Sequence, residues 1–190
     1  MTAIALNLRT GRTFVGWRAA AFYVVVLSAS APSWPFAWHL ALHVAGAAML
    51  IGNAIVMAMW LSAAGFAGGD RAKRRAARAV NLGDVWFTVP GVLLILLNGL
   101  AMIGERYGGV VAFTTVPWIG GGIVLLTLTG VVWATRLVPA QLALHRLADV
   151  NGPIDAGRFR RSLVGWSVWG VIATVMPLIA VFLMTTKPSL

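Results

Sequence analysis

Between Trp38 and Ala63 the chain reads WHLALHVAGAAMLIGNAIVMAMWLSA, without one Asp, Glu, Lys or Arg. That is longer than the roughly 20 apolar residues that carry a helix across a bilayer's hydrocarbon core. Three polar side chains, His39, His43 and Asn53, sit inside it. Polar groups in a span are costly unless paired, so they face a bundle interior, a cavity or a ligand. On a helix, His39, His43, Gly46, Leu50, Asn53 and Met57 recur at alternating steps of four and three and form one stripe.

The rest of the chain agrees with a membrane protein. Of its 190 residues 59% are hydrophobic and 11% charged, against about 25% charged in soluble domains. Three further spans are predicted, over 81–103, 117–138 and 162–185, the second of them opening with Trp118. The expected fold class is therefore all-α: a polytopic four-helix transmembrane bundle over 37–190. A basic segment at 1–36 adds an extra N-terminal helix from near Phe14, with Ala29-Ser30-Ala31 as its signal-like end. Absence of cysteine excludes disulfides, thiolate metal sites and iron–sulfur clusters. The net charge of +10 is read as topology, with the lipid bilayer as partner and no nucleic acid, because basic residues collect in cytoplasmic loops. The 65–79 segment, with Arg71, Lys73, Arg74, Arg75 and Arg78, is expected as a loop or a short surface helix. If it is cytoplasmic, an extra helix at the N-terminus puts 13 of the 15 basic residues on that side, leaving only Arg106 and Lys187 outside. The expectation is a bacterial cytoplasmic membrane, with the N-terminus inside and the C-terminus outside.

Depth along each span, at about 1.5 Å per residue, groups His43, Asn98 and Gly120, Gly121 and Gly122 in one layer of the outer half. The glycines permit close helix approach or leave a slot for a flat cofactor; both readings are open. His43 is a candidate ligand or a structural hydrogen-bonding group, and His39, beside Trp38, is expected at the solvated interface. His39, His43, Met102 and Met184 together make a soft set suited to copper(I). In the second span Asp84, Thr88, Gly91, Ile95, Asn98 and Met102 share a face. Asp84 relays protons, pairs with a loop arginine or favours a helix N-terminus. Asn53 is expected to hydrogen-bond between helices. No G-x-S-x-G, H-E-x-x-H, phosphate loop or carboxylate pair occurs, so no catalytic residue is assigned.

Four segments taken together carry a resemblance: LHVAGAAMLIGNAI, DVWFTVPGVLLILLNGLAM, WATRLVPAQLALHRLA and WSVWGVIATVMPLIAVFLMTTKP. The region 38–188 resembles a bacterial family of predicted integral membrane proteins with an LH-G opening, a D-W-x-F-T-x-P second span and a terminal L-M-x-x-K-P. That family is distantly similar to CopD-like copper-resistance membrane proteins and to the haem-b membrane protoporphyrinogen IX oxidase. The oxidase histidine maps onto His43, and its lysine maps onto Gly122, so the resemblance implies haem binding without the oxidase's second residue.

The functional expectation is haem b, or else copper, bound through His43 in the outer half of the bundle for electron transfer or metal handling. The alternative is a cofactor-free accessory subunit docking to other membrane subunits. A third reading is a small transporter that uses Asp84 and Asn53.

Overall fold

The computed structural model describes residues 13–149 and 152–188. Five long helices follow one another among the described residues: α1 Thr13–Ala29, α2 Phe36–Ala67, α3 Asp70–Arg106, α4 Pro117–Ala148 and α5 Ala156–Thr186, with short helical turns at Gly109–Val111 and Ala112–Thr115 between α3 and α4. No strand forms among the described residues. Helices α2 to α5 are each long and apolar enough to cross a membrane. Helix α1, with 17 residues, rises about 26 Å and lies at the lower limit for a span. Arg9 and Arg12, two of the basic residues counted above for topology, lie outside the described residues.

Only Gly68 and Gly69 separate α2 from α3, so the two helices run antiparallel in direct contact. The sequence stripes meet face to face. Gly46 and Gly91 form the closest approach: a Cβ on Gly46 would lie 2.7 Å from the Gly91 carbonyl oxygen, and one on Gly91 would lie 2.9 Å from that of Gly46. Glycine is needed at both positions because any side chain would meet backbone, which cannot move aside. Helix α5 packs on α2 and α4, and α4 meets α3 in the half toward the α4–α5 loop. The order around the bundle is α3, α2, α5, α4.

Two π-turns interrupt the ladders of α3 and α4, at Asp84–Thr88 and Trp133–Leu137. Each is followed by Val-Pro: Val89-Pro90 and Val138-Pro139. A proline inside a helix has no N–H and its ring clashes with the carbonyl four residues back. One extra residue in the turn moves that carbonyl away, which is how a π-turn absorbs a proline. The N–H of Val89 accordingly reaches Asp84, and that of Val138 reaches Trp133. Beyond these turns α3 is a polar, arginine-rich helix, and α4 a mixed one that carries Gln141, His145 and Arg146 among apolar residues. The arginine-rich 65–79 segment is thus not a separate loop; from Asp70 it is the first half of α3, one face of which buries Lys73, Ala76, Ala77 and Val80. At about 1.5 Å per residue, Asp84–Arg106 suffices for a bilayer core, and the 14 residues Asp70–Gly83 project roughly 20 Å beyond it.

That projection has a core like that of a water-soluble bundle. Leu61, Leu144, Phe159 and Leu163 are buried to 1% exposure or less, with Leu137, Ile154 and Trp166 beside them. The α4–α5 loop is latched to α3: Asp70 accepts from the Ile154 N–H at 2.9 Å, Arg74 donates to the carbonyls of Ala148 and Gly152, and Arg78 faces Asp149 at 3.4 Å. Asp155 caps α5 by accepting the Arg158 N–H at 3.0 Å. That hydrogen bond, with the arginines nearby, holds its carboxyl below the usual carboxylate range. We call this the basic end, and the opposite one the histidine end.

Helix α1 lies outside the four-helix ring against α3. Its Tyr23 hydroxyl donates to the Val85 carbonyl at 2.6 Å. That carbonyl lacks both usual helical partners: the Val89 N–H goes to Asp84, and Pro90 has none. The π-turn therefore creates the acceptor on which α1 docks, and Phe22 packs on Trp86 beside it, ring centroids 5.6 Å apart.

Gly46→Val is expected to lower stability by about 1–3 kcal/mol in detergent unfolding assays, whereas Gly52→Ala, whose Cβ meets nothing within 4 Å, is expected to cost nothing. Tyr23→Phe leaves the Val85 carbonyl unpaired; α1 amides should then exchange hydrogen faster in lipid nanodiscs while α2 and α3 stay protected.

Candidate functional site

Two polar layers cross the bundle. The first lies at the histidine end. His39 is 1% exposed and Asn98 is fully buried. His39 Nδ1 lies 2.8 Å from Asn98 Oδ1, and Asn98 Nδ2 donates to the Leu94 carbonyl and to Ser30 Oγ, both at 2.9 Å. Ser30 in turn donates to the Val26 carbonyl at 2.9 Å. One turn along α2, His43 Nδ1 lies 2.8 Å from the Ile95 carbonyl.

These partners fix the protons. Carbonyls only accept, so Ser30 donates to Val26 and must accept from Asn98. The Asn98 amide nitrogen is then the group facing Ser30 and Leu94, and its oxygen faces His39. His39 Nδ1 therefore carries hydrogen, and so does His43 Nδ1, facing a backbone carbonyl. In each neutral imidazole the lone pair is left on Nε2. His39 Nε2 is buried and has no hydrogen-bond partner. A histidine whose Nδ1–H is held by an amide or carbonyl while Nε2 is left open is the arrangement in which metal-ligating histidines are oriented.

The second layer lies at the π-turns. Asn53 donates to Thr88 Oγ1 at 2.9 Å, Thr88 donates to Asp84 Oδ1 at 2.8 Å, and Trp133 Nε1 donates to Asp84 Oδ2 at 3.3 Å. Gln141, buried on α4, lies next to that carboxylate. The chain of bonds joins α2, α3 and α4, and ties the first residue of one π-turn to the first residue of the other. Asn53 acts between helices, as its place in the stripe implies. Asp84 is held by neutral donors; it neither pairs with a loop arginine nor sits at a helix N-terminus, since α3 begins 14 residues earlier at Asp70.

The histidines exchange the surroundings that depth alone predicts. His39 is the buried one, bonded to Asn98, and His43 is half-buried against Ile95 and Gly99. The reason is Ser30: the turn after α1 returns over the top of α2 and α3 and covers His39, with Trp38 Nε1 donating to the Ala29 carbonyl at 2.9 Å. Nor does the predicted glycine layer form with His43. Gly120, Gly121 and Gly122 lie on α4, whose neighbour at that end is α5. A Cβ on Gly120 would strike the Phe113 carbonyl, one on Gly121 would sit 3.0 Å from Leu183, and one on Gly122 would strike the Met184 methyl. The three glycines serve close packing, and Met184 is turned into the Gly122 notch. Met102 is half-buried near the end of α3. Among the described residues no three His, Asp or Glu side chains cluster to hold a metal.

Sequence reasoning missed Ser30, Tyr23, Trp133 and Gln141. Ser30 lay inside a signal-like tail, and nothing local distinguishes Trp133 from an interfacial anchor. Gln141 in an otherwise apolar VPAQLAL run was the one available signal.

Nitrogen-15 spectra of the histidines in bilayers should show both His39 and His43 as Nδ1–H tautomers, and Asn98→Leu should release His39 from that form while leaving His43 unchanged. An Nε2–H signal for His39 in the wild-type chain would contradict the assignment.

A sequence pattern of the family described as "Predicted integral membrane protein (DUF2269)" matches residues 39–188. No curated protein and no solved structure matches the chain.

Proposed function

The chain belongs to this family of predicted integral membrane proteins, and on that premise we propose that it binds a redox-active metal through His39 and His43 at the histidine end of the bundle. The observation that carries the reading is the buried, unpartnered Nε2 of His39, in an imidazole whose Nδ1–H is held by Asn98. Two histidines four residues apart on one helix can serve one ion from the same side. Copper(I) suits them, because it takes few ligands and accepts imidazole and thioether donors. A zinc site of three or four protein ligands has no counterpart among the described residues. Haem b fits less well: a porphyrin needs a planar slot beside its axial imidazole, and the glycines expected to supply one are covered by Phe113, Leu183 and Met184.

Bound copper would supply one-electron chemistry, or would itself be the carried ion. The chain's own part is to keep both Nδ1 nitrogens protonated, so that both Nε2 nitrogens remain free to coordinate. By the positive-inside rule the basic end would face the cytoplasm of a bacterium and the histidine end the outer side of the membrane. There the protein would serve electron transfer or metal handling.

A second reading, a cofactor-free accessory subunit, has one observation in its favour. Only 11% of the most apolar stretch of α4 and of α5 is buried within the chain, against 22% and 28% for α2 and α3. Faces so open accept another subunit as readily as lipid.

Anaerobic competition of the detergent-purified protein against a copper(I) chelator should give one bound ion per chain. His39→Ala with His43→Ala should abolish it, and Asn98→Leu should weaken it by about 10–100-fold, the usual effect of removing an orienting partner. Reconstitution with haemin should give no Soret band that depends on His43. No copper binding, or copper binding untouched by the double substitution, sinks the copper reading; a His43-dependent Soret band replaces it with haem.

A further inference from the structure

We propose that the groove between α1 and the α2–α3 pair, at the basic end, is a binding site for one anionic phospholipid. The groove is open along one side, offers about 580 Å³, and is lined by Phe22 of α1, Met49 and Met57 of α2, and Leu82, Trp86 and Phe87 of α3. Its size falls within the roughly 300–1,000 Å³ of small-molecule sites. Every one of these side chains is apolar apart from the indole N–H of Trp86, and the groove opens on the membrane side of the projecting basic end. It lies beside the line along which α1 docks on α3. Tyr23 fixes α1 at the Val85 carbonyl, and the Phe22–Trp86 contact closes one wall. Gly83 and Ala79 of α3 complete the lining, and neither carries a side chain large enough to fill the space.

The face of α3 that lines the groove decides what occupies it. Arg71, Arg75, Arg78 and Leu82 follow at steps of four, three and four, which places them on one stripe. One to three turns beyond the apolar wall, toward the basic end, this stripe carries three exposed guanidinium groups. Asp149 faces one of them, Arg78, at 3.4 Å with both side chains about 60% exposed, and such a pair is weak. The nearest acid on the same helix, Asp70, is engaged by the Ile154 N–H. An acyl chain against Phe22, Met57 and Trp86 would leave its phosphate beside Arg78, one turn beyond Leu82, and within side-chain reach of Arg75. Apolar wall and basic mouth are in the order in which a phospholipid presents tail and headgroup, and the sign of the mouth selects an anionic one.

Native mass spectrometry of the full chain, released from micelles containing phosphatidylglycerol or phosphatidylcholine, tests the site. One phosphatidylglycerol should be retained in preference to phosphatidylcholine. Arg75→Gln with Arg78→Gln should lower that preference by roughly fivefold per arginine, the effect of about 1 kcal/mol per basic residue. Leu82→Trp, which fills the groove, should lower retention of both lipids. Arg160→Gln with Arg161→Gln, on α5 and away from α1, should leave the preference intact. Equal retention of the two lipids, an unchanged preference in the Arg75/Arg78 variant, or an equal loss in the Arg160/Arg161 variant would overturn the proposal, the last by showing a diffuse field instead of a site.

Discussion

Everything in the bundle depends on how closely α2 and α3 approach at Gly46 and Gly91. With Cβ positions less than 3 Å from the opposing carbonyls, the two backbones come near enough for short polar side chains to reach across. His39 meets Asn98 and His43 meets the Ile95 carbonyl on one side of this contact; Asn53 meets Thr88 on the other. Within a membrane, helices gain little from burying apolar surface against each other, since lipid is equally apolar; small residues and interhelical hydrogen bonds carry the association. The histidines are thus held in one tautomer by the same contact that holds the helices together.

The two prolines after the π-turns distribute the remaining work. Pro90 and Pro139 each force a widened turn, and Asp84 with Trp133 joins the two turns. On the membrane side of this joint, the spans bury only 11% to 28% of their most apolar stretches within the chain and turn the rest to lipid. Beyond it, the same helices close around Phe159, Leu61, Leu144 and Leu163, where water is available to drive burial. The metal site we propose and the lipid site we propose therefore occupy opposite ends of one rigid joint. The widened turn in α3 also frees the Val85 carbonyl, which attaches α1 beside the groove.

Much of this was legible in the sequence. The uncharged run Trp38–Ala63, the low charge content and the arginine distribution determined an all-α membrane bundle, because apolar length and helical period are local properties. The two stripes, one with His39, His43, Gly46 and Asn53 and the other with Asp84, Thr88, Gly91 and Asn98, already named most of the residues that form the polar layers. Their partners were not legible. Depth counting placed His43 beside Asn98 and beside three glycines, but depth says nothing about which helices are neighbours, and α4 turned its glycines to α5.

What the sequence determined by itself was the number of spans, the basic end and the faces that had to be buried; each follows from the spacing of apolar and charged residues along one helix. What only the tertiary structure decided was which of two histidines is buried. That depended on a serine from a different helix turn closing over His39, and on an asparagine whose amide could be oriented only once all its acceptors were in place. The attachment of α1 was decided in the same way, by a carbonyl that no sequence pattern marks as free until the turn containing it widens.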